Sequence, residues 1–251
     1  MSVVLKIDEQ KIADEELLPL LIKYRMLPQL AREVIVDRAI ADIQWSAEEQ
    51  EKAQQQWLGQ QQIRTQEHLQ AWLQQQGFNA EQFQQHIERQ GKLQKFKEAT
   101  WGPQLEACFL SRKRQLDKVI YSLIRLSELG VAQELYFQIQ EQEKTFTELA
   151  KQYSLGPEAQ TGGLVGPVEL GTPHPQIAQM LATSEPGQLL PPVRIGEWWI
   201  ILRLEKLISA QLNEPTRQKL LEEQFAGWLR EQLQQKVSLT ADESPSDVLT
   251  P

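Results

Sequence analysis

Near Lys118 the apolar residues of this chain stop recurring every three to four positions and begin to alternate. Upstream, residues 13 to about 115 follow the 3.6-residue period of helices. Downstream, Val119-Ile-Tyr-Ser-Leu-Ile-Arg-Leu126 is dense in β-branched and aromatic side chains and reads as a strand. A chain that changes period once, and then mixes short helices with short strands, is expected to build a helical part followed by an α+β part.

Punctuation divides the helical part. Asp14 precedes a loose apolar pattern through Leu17, Leu21, Leu30, Ile35 and Ile40, which Pro28 should divide. Ser46 and Glu49 form a capping box. The helix it opens is rich in Gln, carries Trp57, Ile63, Leu69 and Trp72 on a thin apolar face, and is expected to run to Gly77. Asn79 with Gln82 at N3 caps the next helix, which Gly102-Pro103 ends. Beyond the strand, helices are expected at about 130–142 and 145–153, a loop from Ser154 to Leu170, and a helix from Pro173 to Ala182. Short strands follow at 190–194 and 197–205, and a final amphipathic helix opens at Asn213. That helix, with Phe225 and Trp228, has an apolar face too thin to stand alone and should pack back on the first helices.

Composition excludes several functions. With 26 basic and 34 acidic residues the net charge is −8, which disfavours nonspecific attraction to nucleic acid or anionic lipid. The single Cys108 cannot form a disulfide within the chain, and His68, His86 and His174 lack metal-ligand spacing, so no metal or cofactor is indicated. The first residues lack a basic start followed by an apolar core, and no segment reaches about 18 uninterrupted apolar residues. The expectation is a cytoplasmic protein without membrane insertion.

The segment from Lys144 to Glu205 resembles the parvulin family of peptidyl-prolyl cis/trans isomerases. The likeness rests on Gly162-Gly163-Leu-Val-Gly166, where that family has Gly-Gly-Asp-Leu-Gly, and on Pro186-Gly-Gln-Leu-Leu-Pro-Pro-Val193, where it has a turn followed by Pro-Val. The helical stretch from His68 to Phe83 is similar to the chaperone domain of SurA-type proteins, and the pairing of the two parts resembles cyanobacterial isomerases associated with type I secretion. The resemblance implies an all-α chaperone domain at 1–116, completed by a C-terminal helix at 213–236. It also implies a parvulin-like domain at 117–208 with a four-stranded, mostly antiparallel sheet, and leaves a disordered tail at 237–251. It implies peptidyl-prolyl isomerisation coupled to binding of unfolded polypeptide, with secretion components as further partners.

The family's polar residues have no counterparts in this alignment. Its first-strand histidine falls on Leu123, its Cys or Asp on Gly156, and its signature Asp on Leu164. The last-strand histidine falls on Trp199 or Ile200, the aromatic pocket residue on Ile177, and the pocket methionine on Pro173. No catalytic residue is therefore assigned, and whether the chain is an enzyme stays open. Leu123, Leu164, Pro167, Ile177, Leu181 and Trp199 are the candidates for an apolar prolyl groove. Leu123 and Trp199 have a second reading, as residues that only complete the core. Trp57 and Trp72 are candidates for a client cradle or for core. His174, between two prolines, reads as a surface loop residue rather than a displaced catalyst. The expected activity is binding of extended, proline-containing segments with weak catalysis, the alternative being a non-catalytic holdase or an accessory protein of a secretion complex.

Overall fold

The computed structural model describes residues 3–7 and 9–237. Two compact units divide the chain, one running to Leu105 and resuming at Gln218, the other spanning Glu106–Arg217. The fold is α+β, with a four-stranded antiparallel sheet in the second unit. Most of the tail expected at 237–251 lies outside the described residues.

The first unit opens on a hairpin that the acidic, charge-broken N-terminus gave no reason to expect: β1 (Val3–Ile7) pairs antiparallel with β2 (Gln10–Ala13). Helices α1 (Asp14–Lys23) and α2 (Leu27–Ile40) are separate, with Pro28 in the first turn of α2, where a missing N–H costs little. The Gln-rich segment is two helices, α3 (Ala47–Gln60) and α4 (Gln66–Gln76), rather than one. Gln62 takes a left-handed backbone, and Thr65 starts α4 by accepting a hydrogen bond from the His68 N–H. The capping box at Ser46 and Glu49 opens α3, and the one at Asn79 and Gln82 opens α5 (Ala80–Trp101). The last helix, α10 (Glu214–Lys236), buries Phe225 and Leu229 against Ile35 and Val36 of α2, with Phe96, Trp101 and Trp228 around them. Lys97, buried on α5, donates to Glu222 of α10 and lies over the Phe225 ring.

In the second unit, α6 (Leu105–Leu116) leads to the central strand β3 (Lys118–Leu126), followed by α7 (Leu129–Gln140) and α8 (Phe146–Tyr153). The segment expected as one loop contains a 3₁₀ turn (Pro157–Thr161) and a strand, β4 (Leu164–Glu169). Then come α9 (Pro175–Thr183), β5 (Leu189–Ile195) and β6 (Trp198–Ile208). The strand order is β4-β3-β6-β5. Each face of this sheet buries its own core. Val119, Tyr121, Leu123, Ile200, Leu202 and Leu204 pack with Ile177 and Leu181 of α9 on one face. Ile124, Leu126 and Ile201 pack with α7 and α8 on the other. Alternation along β3 and β6 sends neighbouring residues to opposite cores.

Candidate functional site

The α9 face of the sheet brings together three of the six groove candidates. Leu123, Ile177 and Leu181 share one apolar cluster, and all three are buried. The others are placed elsewhere, and two of them by a single step of strand parity. Leu164 pairs across the ladder with Ser122, on the side away from Leu123, and is 49% exposed; its neighbour Val165 pairs with Tyr121 and packs on the α9-face core. Trp199 packs with the α7 and α8 core, while Ile200, opposite Arg125 on β3, shares the α9 face with Leu123. Shifting by one residue in a strand exchanges faces, so Val165 stands where Leu164 was expected, and of the two residues that fit the last-strand position, Trp199 and Ile200, it is Ile200 that shares the face of Leu123. Pro167 is exposed and follows a cis peptide bond from Gly166. The rim of this floor is half-buried, formed by Val165, Met180, Val193 and Trp198.

One corner of the face is polar. Glu158 is almost wholly buried, with 4% of its side chain exposed. Ser154 Oγ donates to its Oε1 at 2.8 Å, and the Arg125 guanidinium stands 3.6 Å from its Oε2. Backbone bonds hold the corner in place: the Arg125 N–H donates to Ser154 Oγ, Leu155 N–H to the Arg125 carbonyl, and Gly163 N–H to the Glu158 carbonyl. Gly163 itself needs its glycine, because a Cβ there would meet the Leu123 carbonyl oxygen, Ala150 and Phe146 at 2.9 Å, and its φ is +88°. Tyr121 lies on the same face; burial, and next the negative charge of Glu158, push its phenol pKa up.

Glu158 changes the reading of Gly156. A Cβ built on Gly156 would lie 2.2 Å from both Glu158 carboxylate oxygens. The space a side chain at 156 would take is therefore filled by an acid two residues later. Spacing alone could not show this, because the 3₁₀ turn folds residue 158 back over 156. Arg125, Ser154 and Glu158 are site residues that sequence reasoning did not assign, and the only signal was the charge of Arg125 inside the otherwise apolar run of β3.

His174 is exposed and caps α9, its Nδ1 accepting from the Gln176 N–H at 3.3 Å. Separately, a cleft of about 570 Å³ between α9 and the end of α6 is lined by Arg114, Gln115, Leu170, Pro173, Ala178 and Ala182, but by none of the groove candidates. In the first unit, Trp57 and Trp72 meet edge-on with centroids 4.7 Å apart, and Trp57 lies 5.0 Å from Phe83, a fully buried ring. The two indoles thus fasten α3 and α4 to α5 and stay half-buried. No cluster of metal-binding side chains occurs among the described residues, and no described helix is long and apolar enough to cross a membrane.

Residues 130–206 match the rotamase family of PPIC-type PPIASE domains. The second unit carries a parvulin-type domain. The match begins after β3, so Leu123 and Arg125 enter this rotamase domain through the sheet rather than through the matched span. Over 103 residues the chain is 35% identical to chaperone SurA of Colwellia psychrerythraea, covering 38% of this chain and 24% of that protein. The chain thus spans about a quarter of the length of that relative. Among solved structures, the peptidylprolyl isomerase PrsA of Bacillus cereus aligns over 97% of this chain and 95% of its own, at 18% identity and a TM-score of 0.47. A SurA-like chaperone structure from Campylobacter jejuni aligns over 95% of this chain and 100% of its own, at 15% identity and a TM-score of 0.37.

Proposed function

We propose that this chain is a polypeptide-binding folding factor. Its rotamase domain holds extended, proline-containing segments over the α9 face of the sheet and accelerates their isomerisation only weakly. Rotation about an X-Pro bond must disrupt amide conjugation, against a barrier of about 18–20 kcal/mol. Polar groups placed against the twisted amide are one direct way for a site to lower it strongly. The observation that carries the reading is the makeup of this face. Leu123, Ile177, Leu181 and Ile200 form an apolar floor, and His174, the domain's histidine, is used as a helix cap. Contact with a bound segment falls to the half-buried rim of Val165, Met180 and Trp198, with the buried floor setting its shape.

A protease-coupled isomerisation assay on short proline peptides tests this. The expected rate is within a few-fold of the uncatalysed one at micromolar protein; acceleration by several orders of magnitude would refute weak catalysis. A holdase reading has its own support. Seven large apolar side chains between Leu17 and Val34 are exposed, among them Leu18 (58%), Ile22 (56%), Tyr24 (61%) and Leu30 (50%). Exposed large apolar side chains in such number over one short stretch offer contacts to other polypeptide. In that reading, suppression of client aggregation is lost when Leu18 and Ile22 are changed to Ser and is retained when Trp198 is changed.

A further inference from the structure

Arg125 has donors that the fold leaves unused. Among the described residues, none of its guanidinium N–H groups makes a hydrogen bond, and its buried Nε has no partner. Its nearest carboxylate, Glu158, is 3.6 Å away, too long for a hydrogen bond. The same chain contains a guanidinium of similar exposure that is filled. Arg89, 35% exposed against 32% for Arg125, lies between two carboxylates, with Nε 2.6 Å from Asp37 and its terminal nitrogen 2.7 Å from Glu33. Arg125 has one acid, at a distance, and a side chain 32% exposed. The buried Nε is out of reach, but the terminal N–H groups of this part-exposed side chain face outward, and such groups match a carboxylate well among side-chain acceptors.

The position of Arg125 says what such a carboxylate would belong to. It stands two residues beyond Leu123 on β3 and opposite Ile200, so it borders the apolar floor on the same face. Same-face residues of an extended segment are spaced by about 6.6–6.8 Å, the spacing of Leu123 and Arg125 along their own strand. A prolyl ring above Leu123 would therefore set the side chain two residues away above Arg125.

We propose that Arg125 is an anion subsite of the groove, selecting segments that carry Asp or Glu two residues from the proline. Glu158 positions the guanidinium and offsets part of its charge, so the subsite is reversible and moderate rather than a strong anion trap. The inference rests on the proposed groove and adds to it a substrate class.

The test uses the full chain and three heptapeptides with a central proline, whose residues two before and two after it are both Glu, both Gln or both Lys. Dissociation constants are measured at low and at high salt. For a partly exposed ion pair the Glu peptide is expected to bind about three- to tenfold tighter than the Gln peptide. That preference should shrink in high salt and disappear in Arg125→Met, while affinity for the Gln peptide stays the same. Glu158→Gln, which keeps an acceptor for Ser154 and removes the competing charge, should widen the preference, a gain that a misfolded variant would not give. Equal affinity for the Glu and Gln peptides would overturn the subsite and leave the groove standing. So would an Arg125→Met variant that loses both peptides alike. Failure of all three peptides to bind would overturn the groove and the subsite together.

Discussion

Position 156 is a glycine because residue 158 is a glutamate. A methyl group there would meet both carboxylate oxygens of Glu158 at 2.2 Å, so Gly156→Ala has to displace a buried acid from Ser154. The expected loss is about 1–3 kcal/mol, read from chemical denaturation. Tyr121 gives a second check. Its phenol is raised above the ordinary value of 10.0 by burial and then by Glu158. For a group that keeps its proton longer in the folded state, the stabilisation is complete below the unfolded pKa. It is lost as pH rises from there through the folded pKa. Stability should therefore fall on the alkaline side above about pH 10, and Tyr121→Phe should flatten that limb without changing it near neutrality. Leu123 is 4% exposed in the α9-face core, so Leu123→Ala should cost about 2–5 kcal/mol, which makes Trp198 on the rim the better residue for probing binding.

Elements with a capping or helix-breaking residue at each end were legible in the sequence. Asn79 and Gln82 announce α5, and their reciprocal hydrogen bonds, 2.8 and 2.9 Å long, are formed. Asn79→Ala should lower stability by about 1 kcal/mol in a thermal melt. The dense apolar run of β3 and the Pro-Gly turn before β5 were equally plain. The break between α3 and α4 was not, because Ile63-Arg-Thr65 itself contains no Gly or Pro, Gly59 falls inside the last turn of α3, and Thr65 caps α4 through an ordinary side-chain bond. Strand β4 was hidden for a related reason: Gly162-Gly163 before it and Gly166-Pro167 within it mark a loop, yet the backbone of Leu164–Glu169 pairs with β3 around an irregularity in the register. The apolar makeup of the α9 face was legible, and its parity was not. Leu164 and Trp199 each lie one position from a residue that shares the face of Leu123, and the choice between Trp199 and Ile200 stayed open because strand facing is invisible until the pairing is known. The acid at 158 was hidden because Arg125 is distant in sequence and because the bond from Ser154, only four residues away, depends on the 3₁₀ turn between them.

The whole molecule separates two kinds of apolar surface. The rotamase domain has a floor that is fully packed, with a narrow half-buried rim and a polar corner at Arg125 and Glu158. The helical unit carries a broad exposed run between Leu17 and Val34, on helices α1 and α2, of which α1 buries none of its residues. The first arrangement suits one extended segment with defined side chains, and the second suits varied unfolded chains. Where a proline peptide binds is therefore the most direct test. The full chain, labelled with ¹⁵N, would be titrated with the Glu-flanked heptapeptide while backbone amide shifts are followed. The account predicts saturable shifts at residues 121–125, 163–165 and 193–200. Shifts confined to the helical unit, or none at all, would contradict it.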